Sequence, residues 1–314
     1  MATASALSRS SLLTLLLLGL FAGAMWQAIS QLDYRWQWRS LQPHLLAEHT
    51  QDLRPPMAAT VLELSPLKLE LVDGQPWDCT PCEAEPELEV GAQVWPEERV
   101  ATRSRWQFGL LLQGLWLTLE VSLLAIACSL VPGLALAALR MQSAPLPRWT
   151  GIALIEIIRG TPLLVQIFLF YFLVGSVLGL ERLTAGVTAL ALFTAAYVAE
   201  IVRGAIASVP RGQWEAAKVL GLSPLQSLIH VIFPQALPRM LPALAGQFIL
   251  LVKDSSLLSV IALTDLTKAG REIVAATFAP FEVWLTVAAL YLSLTLSLGS
   301  AVRWWEGRIR RRYD

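Results

Sequence analysis

Long apolar runs alternate along this chain with short polar stretches. A hydrocarbon core of ~30 Å takes about 20 helical residues to cross. Runs of that order fall at 12–29, 108–139, 152–174, 183–201, 241–263 and 281–302. The pattern predicts an all-α integral membrane protein with about six spans. The run at 108–139 is longer than a crossing needs, so it is tilted or continues out of the membrane. Two segments break the pattern. Residues 31–105 contain "ATVLELSP" and "LKLELVDG", whose period-two alternation reads as short strands, followed by the acidic "EAEPELE". This predicts a small β-rich insertion, short for an independent core. The second break, "GQWEAAKVLGLSPLQSLIHVIFPQALPRMLP" at 212–242, reads as two short water-facing helices joined by a turn.

Composition agrees with the membrane class. Hydrophobic residues make up 55% of the chain and charged residues 15%, against roughly 25% charged in ordinary soluble domains. Mean hydropathy is +0.56. Formal net charge is zero, so nothing global argues for nucleic acid as a partner. Arg9, the leucine run and "AGA" at 22–24 resemble a cleavable signal peptide. The apolar stretch continues through 25–29, which favours a retained span over residues 1–30. Either outcome leaves the following segment outside.

Lys and Arg in short loops set orientation. Arg140 and Arg148 flank the loop after the second run. Arg203, Arg211, Lys218 and Arg239 surround the polar break against one acid, Glu215, and the tail carries Arg303, Arg308, Arg310, Arg311 and Arg312. With six spans these segments share one side, the cytoplasm, together with both termini. Arg182, Lys268 and Arg271 lie opposite, and 31–105 is extracytoplasmic. In that segment "WDCTPC" allows two readings. Cys79 and Cys82 form a local structural disulfide, or they act as a thiol–disulfide oxidoreductase pair. The βαβ context of a redox domain is missing, which favours the bridge. Cys128, inside a span, reads as a small packing residue.

The polar break has clear local punctuation. Pro210 suits a helix's first turn, and the helix runs through Trp214, Glu215, Ala216, Ala217, Lys218 and Leu220. Gly221 can take the left-handed conformation that ends it. Ser223 and Pro224 open a second helix, which Phe233–Pro234 stops. The two alanines leave a low surface for a partner's close approach, flanked by apolar Trp214 and Leu220.

Those residues resemble the EAA motif of permease subunits of ABC importers: Glu-Ala-Ala, three residues, Gly, nine residues, then Ile-X-Leu-Pro. Glu215, Ala216, Ala217, Gly221 and Pro234 match at the right spacing, while Val231 and Phe233 replace the usual Ile and Leu. "EIIRGTPLLVQIFLFYF", "AEIVRGAIASVPRGQWEAA" and "QFILLVKDSSLLSVIALTDL" are similar to the polar amino acid permeases, those for histidine, glutamine, glutamate, arginine and similar substrates. The similarity covers residues 108 to 314 and excludes the first run and the insertion. It implies a type I ABC importer transmembrane domain in a bacterial inner membrane. Residues 106–314 would be its five-helix core, and a coupling loop at 204–238 would seat in a cytoplasmic ATPase. Implied partners are two ATPase subunits, a second permease that is a copy or a paralogue, an extracytoplasmic substrate-binding protein, and the amino acid itself. No G-x-x-x-x-G-K-[ST] phosphate loop occurs, so ATP chemistry belongs to a partner and no cofactor is expected. The other reading, a secondary amino acid transporter, would carry internal repeats, and none stands out.

Charges within spans are functional hypotheses. Glu156 with Arg159 and Glu200 with Arg203 are spaced i,i+3, which permits pairing on one helix face. Lys253 and Asp254 fall half-way along the run at 241–263, where a charge costs at least ~2.5 kcal/mol. They either meet a substrate's ammonium or carboxylate or pair with neighbouring helices. Gly160-Thr161-Pro162 interrupts the third run and allows a kink, a hinge or a stretch lining the path. Glu120, Gln166, Tyr197 and Gln247 complete the candidate path.

Overall fold

The computed structural model describes residues 34–79 and 82–313, together with scattered positions between 14 and 27; the side chains of 49, 306–307 and 309–313 are left aside. The apolar run at 12–29 lies for the most part outside the described residues. Residues 1–38 and 39–314 are two separate compact units. In the first, Trp36 stacks on Trp38 with ring centroids 5.7 Å apart.

The insertion is built from β1 (Leu46–Leu53), β2 (Ala59–Leu64), β3 (Leu67–Leu71), β4 (Pro76–Cys79), β5 (Glu83–Ala84), β6 (Gln93–Val94) and β7 (Ala101–Phe108). They make two antiparallel sheets, ordered β1-β7-β5 and β4-β3-β2-β6. Both stretches read as strands in the sequence, "ATVLELSP" and "LKLELVDG", pair here as the β2–β3 hairpin. In β3 the odd positions Leu67, Leu69 and Leu71 are buried and the even ones exposed, the expected outcome of period-two patterning on a one-sided sheet. With Ala59, Val61, Val94, Val100 and Ala101 they form a small core of their own.

One residue, Gly109, joins β7 to the membrane part. There follow α1 (Leu110–Arg140), α2 (Pro145–Gly160), α3 (Leu163–Leu169), α4 (Arg182–Ala207), α5 (Arg211–Val219), α6 (Pro224–Ser227), α7 (Phe233–Asp254), α8 (Leu266–Thr277) and α9 (Pro280–Tyr313). Among the described residues four helical stretches are long and apolar enough to cross a membrane, or five if the bent pair α2–α3 is one span. Centrally placed α4 is rich in alanine and buries most of its length. It packs closely on α1, where a Cβ at Gly133 would sit 2.6 Å from Val198 Cγ1.

Three expectations change. The run at 152–174 is not one straight span: α2 and α3 meet at Thr161–Pro162 with a bend of 103°. Proline has no N–H for α2's final carbonyls and disfavours helix at Thr161, whose φ/ψ of −113°/144° is extended. Second, Pro234 does not stop the helix that begins at Pro224. A π-helical turn over Leu228–Ile232 carries the chain into α7, with Pro234 in that helix's first turn, where no N–H is required. The helical stretch therefore covers Pro224–Ile261, starting well before the expected 241. Third, Cys128 is exposed, not packed inside the bundle.

Candidate functional site

The knuckle between α4 and α7 is fixed by local chemistry that its residue types dictate. Pro210 is the N-cap of α5. At the other end Gly221 has φ +77°; its N–H donates to the Lys218 carbonyl (3.0 Å), and Leu222 N–H donates to the Ala217 carbonyl (3.1 Å). That is a Schellman closure, which requires a left-handed residue. Ser223 and Gln226 then form a reciprocal capping box at the start of α6. Two ties fasten the unit to the bundle. Gln235 Nε2 donates to Gln213 Oε1 at 3.0 Å, and Arg239 Nη1 donates to the Ser208 carbonyl and, at 3.1 Å, to Ser208 Oγ.

The faces of the knuckle sort the motif residues. Ala217 is 1% exposed, and Trp214 packs on the core formed by Ile155, Val202, Ile206, Ile232 and Ala236. Trp214 and Ala217 therefore face inward and are not part of a free outer surface. Glu215 and Ala216 face out, and beside them Val219, Leu220, Leu225 and Ile229 are 87, 78, 64 and 51% exposed. Leaving that much aliphatic surface in water is costly, and clustering marks an interaction site. Apart from Leu220, these apolar positions escaped sequence reasoning. A helical-wheel count on either side of Gly221 would have found them.

Toward the C-terminal end of α4, charges from three helices meet. Glu200 on α4 lies 2.8 Å from Arg140 Nη1 of α1 and 3.0 Å from Arg203 Nη2. The i,i+3 pair Glu200–Arg203 thus forms. Glu156 and Arg159 do not pair with each other: Glu156 approaches Arg140 at 3.9 Å, and Arg159 lies over the Tyr197 ring at 5.3 Å, a cation–π contact. Local spacing carries no information about Arg140, 60 residues from its partner.

The other candidates separate. Gln166 does not open onto a path with its amide; its Nε2 donates to the carbonyls of Ile158 (2.6 Å) and Thr161 (3.1 Å) and to Thr161 Oγ1 (2.7 Å). It satisfies carbonyls that the α2–α3 break leaves orphaned, which any break in a low-dielectric setting requires. Gln247 is buried within α7. Lys253 and Asp254 stand at the end of α7, where it passes into a 3₁₀ turn. They are exposed and half-buried respectively, without an ion-pair partner among the described residues, so the neighbouring-helix pairing is not made. Glu120 lines a shallow recess with Trp116, Leu119, Leu123 and Leu124. Cys79 and Cys82 are placed as a bridged pair, with Arg103 Nη2 3.7 Å from Cys79 Sγ.

A buried polar cluster went unnoticed in the sequence. Asp265 caps α8 through the amides of Thr267 (3.2 Å) and Lys268 (3.0 Å), and burial pushes its carboxyl up from the usual range. Thr118 of α1 accepts from Leu266 N–H at 3.1 Å, and Thr267 shares a hydrogen bond with Tyr291 of α9 at 3.1 Å. Asp265 ahead of an apolar-periodic segment was the available signal.

Comparison with known proteins bears on the helical part. Residues 114–311 match the family model for the binding-protein-dependent transport system inner membrane component. The chain is 39% identical over 207 residues to the probable glutamine ABC transporter permease protein GlnM of Bacillus subtilis (strain 168), covering 66% of this chain and 96% of that one. It is 40% identical over 204 residues to the glutamine transport system permease protein GlnP of Escherichia coli (strain K12), covering 64% and 93%. Among solved structures, one described as the crystal structure of an amino acid ABC transporter with histidines superposes with a TM-score of 0.60 at 39% identity, over 63% of this chain and 94% of that one. At 24% identity, the MetNI methionine ABC transporter shares the fold, with a TM-score of 0.57. Taken with the broken span, the ordered knuckle and the apolar helices, these matches settle the class: the chain belongs to the family of binding-protein-dependent transport system inner membrane components.

Proposed function

We propose that this chain is the permease subunit of an ATP-driven importer and provides the translocation path for polar amino acids, with glutamine-like substrates favoured by the relatives' names. The observation that carries the coupling half of the reading is the outer face of the knuckle. Glu215, Ala216, Val219, Leu220, Leu225 and Ile229 form an exposed, apolar-centred surface on a unit that is capped at each turn and tied to α7. A separate ATPase, two copies per assembly, would seat there and drive the attached helices as rigid bodies. A second permease subunit and an extracytoplasmic binding protein complete the assembly, with the knuckle and both termini cytoplasmic and residues 31–105 outside. Asp254, Gln247, Arg159 and Tyr197 are the groups proposed along the path, with Asp254 free to meet a substrate's ammonium.

Reconstitution into liposomes with the ATPase and binding protein tests the reading. Uptake of labelled polar amino acid should require ATP. The variant Leu220→Glu changes an exposed side chain only, so it should insert normally, fail to copurify with the ATPase and lose uptake. Uptake sustained by an ion gradient without ATP would refute the proposal.

A further inference from the structure

The insertion meets the membrane part at a joint that leaves little freedom. Gly109 N–H donates to the Leu45 carbonyl at 2.8 Å, and a Cβ at Gly109 would lie 2.3 Å from the backbone of His44. In the first turn of α1, Gln113 Nε2 donates to the Phe108 carbonyl at 2.6 Å. The β1–β7 ribbon is thereby fixed to the start of α1. Its register pairs Leu46 with Phe108, Glu48 with Trp106, Thr50 with Ser104 and Asp52 with Thr102. Alternation places these eight residues on one face.

That face is graded. At the end next to α1 it shows Leu46, Trp106 and Phe108, which are 47, 66 and 67% exposed. Glu48 stands across from Trp106, and farther away the same face carries only polar Thr50, Ser104, Asp52 and Thr102. The opposite face at the α1 end shows exposed Gln107 and Arg105, with small Ala47 across from Gln107. Apolar character therefore follows two coordinates at once, one face and one distance from the span. At ~3.3 Å per residue, Phe108 and Trp106 lie within about 7 and 13 Å of Leu110 along the chain. The 31 residues of α1 are ~46 Å long at 1.5 Å per residue, about the full thickness of a bilayer with its headgroups. Leu110 thus emerges at headgroup level. Tryptophan partitions to that layer, where its apolar ring and its indole N–H are both satisfied, while Phe108 and Leu46, nearest the span, are purely apolar and suit the layer's border with the hydrocarbon.

We propose that the Leu46–Trp106–Phe108 end of the β1–β7 ribbon is a lipid-contact surface that rests in the outer headgroup layer and fixes the tilt of the insertion over the membrane. A protein partner would not require the apolar character to fade with distance from the span. The inference does not rest on the transport reading; it needs that α1 crosses the bilayer, and the outer leaflet follows from the orientation proposed above.

The test is photocrosslinking of the full chain in phospholipid nanodiscs, with p-benzoylphenylalanine at 106, at 108 and, as control, at exposed Val72 on the β3–β4 turn. The two aromatic replacements keep the local shape, and size-exclusion elution in nanodiscs checks that each variant is folded. Mass spectrometry should find phospholipid adducts at 106 and 108 at least ten times more often than at 72. Adducts at 106 and 108 less than ten times as frequent as at 72 would overturn the proposal, as would adducts at 106 and 108 predominantly to a second copy of the chain.

Discussion

Replacing Gly221 by alanine isolates one backbone conformation at the knuckle. The residue sits at φ +77° with no heavy atom within 4 Å of where a Cβ would be, so substitution adds no clash. The cost is conformational alone, about 1–2 kcal/mol for an L-residue in the left-handed region. The two closing bonds, Gly221 N–H to Lys218 and Leu222 N–H to Ala217, depend on that conformation. Gly212, in the first turn of α5, also has open space around its Cβ but no positive φ, so Gly212→Ala should be neutral or stabilising by up to ~1 kcal/mol. Gly221→Asn should fall between, since asparagine tolerates the left-handed region. Hydrogen exchange on the chain in nanodiscs, read on peptides covering 215–224, measures the effect. Protection should fall roughly 5–30-fold in Gly221→Ala, less in Gly221→Asn, and not in Gly212→Ala. Equal protection in all three would refute the claim that a left-handed glycine holds the two short helices together.

Three further outcomes follow from the site. Gln166→Leu leaves the Ile158 and Thr161 carbonyls without their amide donor, a loss of about 1–3 kcal/mol that should lower the melting temperature of the purified chain, whereas Gln166→Asn, one methylene short, should recover little of it. Glu200→Ala removes the carboxylate shared by Arg140 and Arg203 and should destabilise more than Glu156→Ala, whose carboxylate is 62% exposed and 3.9 Å from Arg140 and is worth at most ~0.5 kcal/mol; equal melting temperatures would contradict the placement of the cluster. Asp265→Ala should cost about 1–2 kcal/mol through the lost cap of α8. Because burial raises the folded carboxyl pKa, Asp265 contributes most below its unfolded value near ~4 and loses that contribution as pH rises through the folded value. Asp265→Asn keeps a cap and should flatten melting temperature against pH in that window, and an unchanged slope would show that the carboxyl is not desolvated.

What the sequence made legible is what short-range chemistry controls. Apolar length identified the spans; Gly221 and Ser223–Pro224 marked a helix end and a helix start because only a few residue types serve there; alternation marked β2 and β3. Proline was ambiguous in the one place where context decides. Pro162 breaks its span by 103°, while Pro234 leaves helix continuity intact because a π turn precedes it. The missing N–H is the same in both, and the difference lies in whether the preceding turn can widen, which neighbouring packing sets. Partners distant in sequence were not legible: Arg140 bridges to Glu200, Arg159 turns to Tyr197, and Gln166 folds back onto the break. Each is a choice among several chemically equivalent donors, and only the packed bundle makes it.

Those long-range choices bear on how the proposed coupling would work. A lever must be stiff where force enters it. On the knuckle, stiffness comes from Trp214 packed on the cluster that spans α2, α4 and α7, from buried Ala217, and from the ties Gln235–Gln213 and Arg239–Ser208. In the proposed coupling, a displacement of the outer face would be passed on by α5 and α6 and would rotate α4 and α7 with it. The α2–α3 break is the opposite kind of joint. At Thr161 and Pro162 the bend is held by side chains: the Gln166 amide donates to the Ile158 and Thr161 carbonyls, and Thr161 Oγ1 donates to the Ile157 carbonyl. Bond for bond, the knuckle resists deformation and the break accommodates it. Motion entering at Leu220 would then be transmitted through α4 and α7 and taken up at Thr161–Pro162, next to Arg159 and Tyr197 on the proposed path.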